Sequence, residues 1–201
     1  MTVLAAAAGA RAGVVDLPAA EVAAAAFLTA LGLRLDREAT VDTPARMARA
    51  YADLLTAREF DLTTFAEDEG YNQLVVLRRV AFASVCEHHA LPFLGTADVG
   101  YLPAGRIIGL SKLARVVELF ARRPQVQERM TKQIADWLAE FLAPKGVGVV
   151  VRAEHLCMRL RGAQVAGTST VTSALHGLLL DDGRCREEFL ALTRGAEANP
   201  R

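Results

Sequence analysis

Cys86, His88 and His89 fall within four consecutive residues, and His155 and Cys157 stand close together far downstream. Thiolate and imidazole are the donors that zinc takes, at about 2.3 Å and about 2.0–2.1 Å. Cys86 and His89 have the C-x2-H spacing that a tight turn can close around one ion. His155 and Cys157 are separated by a single residue, so on an extended strand they share a face, and Arg159 and Arg161 would share it with them. Each residue alone has an ordinary explanation. A cysteine on an apolar strand is usually core, and a loop histidine is usually just hydrogen-bonded. Together they form a candidate zinc set: Cys86, His88 or His89, His155 and Cys157. Four protein ligands would make a closed structural site, and three plus water an open catalytic one. Cys185 and His176 have no such neighbours and are left to structural roles.

A second constellation suits an anion. Arg46 and Arg49, and Lys112 and Arg115, are paired near expected helix starts, and Arg159 and Arg161 lie beside the metal candidates. Helix N-termini add free N–H groups and a favourable dipole. The three clusters could converge on a polyphosphate, or they could be solvated surface. Gln127-Glu128 sits in a first helical turn. A carboxylate there can accept from two adjacent N–H donors of a planar base such as guanine, although the helix dipole alone also favours an acid at that place.

The elements that must position these residues alternate in type. The chain has 201 residues, enough for one domain with a sizeable core, and a formal net charge of zero, so nothing points to nucleic acid or a membrane surface. No charge-free apolar run reaches 18 residues, no secretory leader is evident and the three cysteines are expected to be reduced, which suggests a cytoplasmic protein. Residues 1–16 read as a mobile tail, 17–60 as an N-terminal helical segment and 61–201 as the catalytic domain. Helices are expected over 18–31 and 43–56, the second with Thr43 as N-cap and Pro44 at its first position. Strands follow over 73–85 and 94–102, with at most a short one at 107–108. Helices run from Ser111 to about 122 and from Pro124 to about 142. A strand begins at 146 and continues through Cys157 to 160, another spans 168–175, and a helix covers 184–194. Runs of strands and runs of helices point to α+β with an antiparallel sheet.

Five stretches together resemble GTP cyclohydrolase I: D-T-P-A-R-M-A-R (42–49), C-E-H-H (86–89), G-L-S-K-L-A-R (109–115), R-R-P-Q-V-Q-E-R (122–129) and H-L-C-M-R-L-R-G (155–162). The resemblance implies the tunnelling fold, a four-stranded antiparallel sheet with two helices packed on one side, plus N-terminal helices. It implies a homodecamer of two stacked pentamers with active sites at subunit interfaces. It would make Cys86, His89 and Cys157 the zinc ligands, with His88 and His155 catalytic and Ser111 near the ribose and triphosphate. Lys112, Arg115, Arg161, Arg46 and Arg49 would hold the triphosphate, and Glu128, with Gln127 beside it, the guanine edge. The implied reaction opens the imidazole ring of GTP at C8, releases formate and yields 7,8-dihydroneopterin triphosphate. Two other readings compete: a tunnelling-fold nitrile reductase, which uses a nucleophilic cysteine and no zinc, and a silent structural zinc or nucleotide-binding module.

Overall fold

A computed structural model describes residues 14–194. In chain order it contains α1 (Leu17–Ala30), α2 (Thr43–Leu55), β1 (Thr64–Ala66), β2 (Val75–Cys86), β3 (Pro92–Leu102), β4 (Arg106–Ile108) and α3 (Leu110–Ala121). These are followed by β5 (Pro124–Gln125), α4 (Gln127–Leu142), β6 (Gly146–His155), α5 (Leu156–Arg159), β7 (Thr170–Gly177), α6 (Leu178–Asp181) and α7 (Gly183–Thr193). Most of the mobile tail expected over residues 1–16 lies outside the described residues.

The α+β class and the antiparallel sheet are present. Strands β2, β3, β6 and β7 form an antiparallel meander, and the full sheet order is β5-β2-β3-β6-β7. The fifth strand corrects the expectation that a helix starts at Pro124. Pro124 and Gln125 instead pair parallel with Val85 and Cys86, and α4 begins only at Gln127, after an extended Val126. A second small ladder, β1 with β4, was not expected at residues 64–66. Asp42, not the expected Thr43, occupies the N-cap position of helix α2, without a side-chain capping bond, and Thr43 is the first helical residue.

One face of the sheet buries Phe93, Ala97, Val99, Tyr101, Val149 and Val151 against α3 and α4. The helices answer with Leu113, Val116, Val117 and Phe120, and with Met130, Ile134 and Leu138, at the spacing of one helical face. The opposite face carries a smaller core of Leu102, Val150, Leu179 and Phe189. Glycine is required there. A Cβ at Gly148 would lie 2.6 Å from the Phe189 ring, and one at Gly100 2.9 Å from it. The C-terminal helix is therefore seated in a trough cut into β3 and β6.

Near the middle of β2 the ladder slips between Leu77 and Val80, and Arg79 takes φ 56°. The buried carboxylate of Asp98 holds this bulge. It accepts the Arg79 backbone N–H at 2.8 Å and the Arg152 guanidinium at 2.5 Å, and Arg152 also donates to the Thr193 carbonyl of α7.

Candidate active site

Register brings the two cysteine-containing segments together. Val85 pairs with Pro92 across β2 and β3, and Phe93 pairs with His155 across β3 and β6, so the end of β2 and the end of β6 meet at one margin of the sheet. The connection after β2 is a tight turn. The N–H groups of His89 and Ala90 both donate to the Cys86 carbonyl, the Cys86 N–H donates to Leu91, and Ala90 takes φ 54°. That turn swings His89 back over Cys86, with Nδ1 3.9 Å from Sγ.

The expected continuation of β6 through Cys157 does not occur. His155 is the last residue paired with β3, and Leu156–Arg159 form one helical turn closed by Leu160 N–H to Leu156. Cys157 reaches Cys86 from that turn, Sγ to Sγ 4.0 Å. Arg159 is carried off the shared face and pairs with Glu154 at 3.0 Å. His155 and Cys157 are therefore not two beads on one strand face; the turn sends them in different directions.

Cys86, His89 and Cys157 place their donor atoms within 4.8 Å of one another and could hold a metal ion. A tetrahedral zinc requires about 3.8 Å between two sulfurs and about 3.5 Å between sulfur and nitrogen; the 4.0 Å Sγ–Sγ and 3.9 Å Sγ–Nδ1 separations seen here are slightly wider, and a bound ion would draw the donors in. Both cysteines are buried and His89 is exposed. Burial, followed by the neighbouring Cys86, raises the Cys157 thiol above its ordinary range, which is the electrostatic need that a cation answers. His88 lies outside the cluster, edge-on to His89 with ring centroids 6.3 Å apart.

His155 is held beside the cluster by other means. Its ring stacks on Phe93, 4.6 Å between centroids and 5° from parallel, and its Nε2 lies 2.8 Å from Gln127 Oε1. Burial lowers its pKa, opposed by the Glu128 carboxylate. Strand β5 brings both Gln127 and Glu128 here by pairing with the end of β2. Glu128 is exposed, whereas Gln127 is 1% exposed and engaged entirely within the chain. Glu87 turns away from the metal donors. It pairs with Arg129, which keeps its carboxyl below the usual range, and its N–H donates to Gln125, so the turn is tied to the start of α4. Nothing in the sequence pattern marked Glu87 or Phe93 as supports. Their roles depend on register across elements.

The anion candidates divide. Arg161 is exposed in the loop beyond α5. Helix α2, with Arg46 and Arg49 in its first turns, leans on the C-E-H-H turn through Tyr51, whose hydroxyl donates to the Ala90 carbonyl at 2.9 Å. Ser111, Lys112 and Arg115 lie elsewhere. They occupy the start of α3, whose far end is fixed to β2 by the Ser84 hydroxyl donating to Arg123. At 1.5 Å per residue, Ser111 stands about 15 Å back along that helix. There Ser111 and Arg115 line a cavity of about 480 Å³ with Phe82, Glu118, Arg58 and Arg122 at the outer edge of β2. Glu118 takes a bidentate pair from Arg58 at 2.7 and 2.8 Å and a third bond from Arg115 at 2.8 Å. The metal-and-base half and part of the anion half are thus at different places on one chain.

The sequence profile described as GTP cyclohydrolase I matches residues 20–194. The chain is 52% identical over 169 residues to a GTP cyclohydrolase 1 of Aquifex aeolicus, covering 84% of this chain and 92% of that one. It is 47% identical over 186 residues to the enzyme of Thermobifida fusca, covering 90% of each. It is 48% identical over 184 residues to that of Mycobacterium leprae, covering 89% and 90%. With a matching profile over most of its length, and a Cys-His-Cys cluster formed by two of the stretches that carried the resemblance, the chain belongs to the GTP cyclohydrolase I family.

Proposed function

We propose that this protein converts GTP to 7,8-dihydroneopterin triphosphate and formate, the first step of tetrahydrofolate and pterin biosynthesis, with zinc held by Cys86, His89 and Cys157. The observation that carries the reading is the three-donor cluster with His155 beside it and committed to Gln127, so that no fourth protein donor closes the site among the described residues. That arrangement favours an open catalytic centre over a structural zinc module. A metal in this donor set supplies a water made nucleophilic near neutral pH.

The chain's own residues divide the remaining work. Glu128 accepts from guanine N1–H and the 2-amino group, and adenine would leave that carboxylate unpaired. His155 moves protons to and from the imidazole nitrogens as C8 is hydrated and then lost as formate. His88, exposed and edge-on to His89, protonates or orients the opening ring. Ser111, Lys112, Arg115 and Arg161, with Arg46 and Arg49, hold the ribose and triphosphate. The freed ribose then undergoes an Amadori-type rearrangement and recloses on the pyrimidine amines.

Because Ser111, Lys112 and Arg115 sit away from the metal cluster of their own chain, the working site takes them from a second copy. The sheet supports such an assembly. Among the described residues, β2 before Val85 and the outer side of β7 pair with no further strand. The two edges run in opposite directions, so β7 of one copy can extend β2 of the next, head to tail, in a closing ring. The assembly is a homodecamer of two stacked pentamers, cytoplasmic, with no nucleic-acid or membrane partner. Among the described residues no helix is long and apolar enough to cross a membrane.

The test is direct. Zinc-loaded protein is incubated with GTP, the mixture is oxidised, and pterin fluorescence and formate are measured. Stoichiometric appearance of both is expected; absence of both from zinc-loaded protein would overturn the reading.

A further inference from the structure

The hydrogen-bond directions around Gln127 can be assigned from chemistry alone. Its amide nitrogen faces two backbone carbonyls, Val151 at 3.2 Å and Thr170 at 3.0 Å. Carbonyls only accept, so the NH2 group must be on that side and Oε1 on the other. The same nitrogen lies 3.1 Å from the Thr172 hydroxyl. Thr131 donates its hydroxyl hydrogen to the Gln127 backbone carbonyl at 2.8 Å. Its oxygen must then accept from Thr172, 2.6 Å away. A chain of donors results, running from Thr172 to Thr131 to the Gln127 carbonyl, with the two amide hydrogens of Gln127 shared among Val151, Thr170 and Thr172. Each hydroxyl hydrogen in it has one place to go.

With Oε1 fixed as an acceptor, His155 Nε2 at 2.8 Å must carry a hydrogen. We infer that Gln127 is a positioning residue that locks His155 in its Nε2–H form, so that Nδ1 alone exchanges protons with the substrate. Stacking on Phe93 fixes the ring plane, and Gln127 fixes its rotation within that plane. The Nε2–H bond persists whether or not Nδ1 is protonated, so the ring cycles without reorienting. Thr131 and Thr172, on α4 and β7, hold the lock from two elements that bear none of the proposed catalytic or metal residues other than Gln127 and Glu128. The inference rests on the proposed proton-transfer role of His155.

Zinc-loaded protein labelled with 15N-histidine is examined by solid-state NMR at about pH 8, above the ordinary histidine range. The chain has four histidines, and the spectrum of the His155→Ala protein assigns the signal. The Nε2–H tautomer is expected for His155; an Nδ1–H ring would overturn the inference. Gln127→Met should mix the tautomers and lower kcat by about tenfold or more, while zinc content holds and KM stays within about threefold, because only proton transfer is impaired. A raised KM with kcat unchanged would instead place Gln127 against the base and overturn it. Should the Met variant not fold, the wild-type spectrum alone decides. Unchanged formate release by His155→Ala would overturn the proton-exchange half of the inference together with the role it rests on, whereas the spectrum tests the tautomer lock separately.

Discussion

His155 can be replaced without touching the donors of Cys86, His89 and Cys157, because among the described residues its side chain hydrogen-bonds to Gln127 and its ring rests on Phe93. His155→Ala is therefore expected to keep its metal and lose turnover by about 10²–10⁴-fold, the range for removing a general acid or base. Metal analysis and formate release on the same preparation check both halves. A loss of zinc in parallel with activity would mean that the histidine supports the cluster rather than the reaction. Glu87 shows the reverse relation. It lies between metal donors in sequence, yet it faces Arg129 and steadies the turn.

At the scale of elements, the C-terminal helix depends on two missing side chains. Gly148→Ala would put a Cβ 2.6 Å from the Phe189 ring. Overpacking of this kind costs about 1–3 kcal/mol, to be read as a lower urea midpoint. Helix α3 is steadied by charge. The Arg58 bond, followed by that of Arg115, holds the Glu118 carboxyl below its ordinary 4.5. A depressed acid stabilises fully above its unfolded value, and the contribution disappears as pH falls through the folded one. Glu118→Gln should therefore lower the melting temperature at pH 7, with the gap to wild type narrowing below about pH 4; a gap independent of pH would assign the effect to packing. These elements also mark how far the chain could be read unaided. The buried faces of α3 and α4 follow from helical periodicity, and the long hairpin from its Val, Leu and Phe content. The strand at Pro124–Gln125 was hidden because two residues carry no period, and their pairing is with a strand far away in sequence. The turn at Leu156 was hidden because H-L-C-M-R-L-R alternates like a strand. Its helical form follows from the loss of β3 as a partner after His155. The nearness of Cys157 to Cys86 survived that error, because the turn itself carries the thiol to 4.0 Å. The grouping of Arg159 and Arg161 with them did not.

For the whole molecule, the separation of Lys112 from Cys157 makes the proposed site a joint one. Lys112→Ala and Cys157→Ala should each be inactive alone. Dissociated, mixed and reassembled, they should recover up to about a quarter of wild-type activity, since one interface in four then receives both intact halves. No recovery from a mixture that reassembles would mean that each chain completes its own site.

The turn after β2 has one more consequence. Its backbone is closed by three internal hydrogen bonds and tied to β5 through Gln125 and to α4 through Arg129, none of which involves a metal. The donors are therefore preorganised: the entropy of closing the loop is spent during folding rather than at ion capture. Chelation should accordingly leave the sheet intact and be reversed by added zinc without refolding, as circular dichroism before and after would record. The ion would add to the melting temperature only by mass action, in proportion to the logarithm of its free concentration. Under the proposed zinc reading, supply of the metal would govern activity without governing the fold.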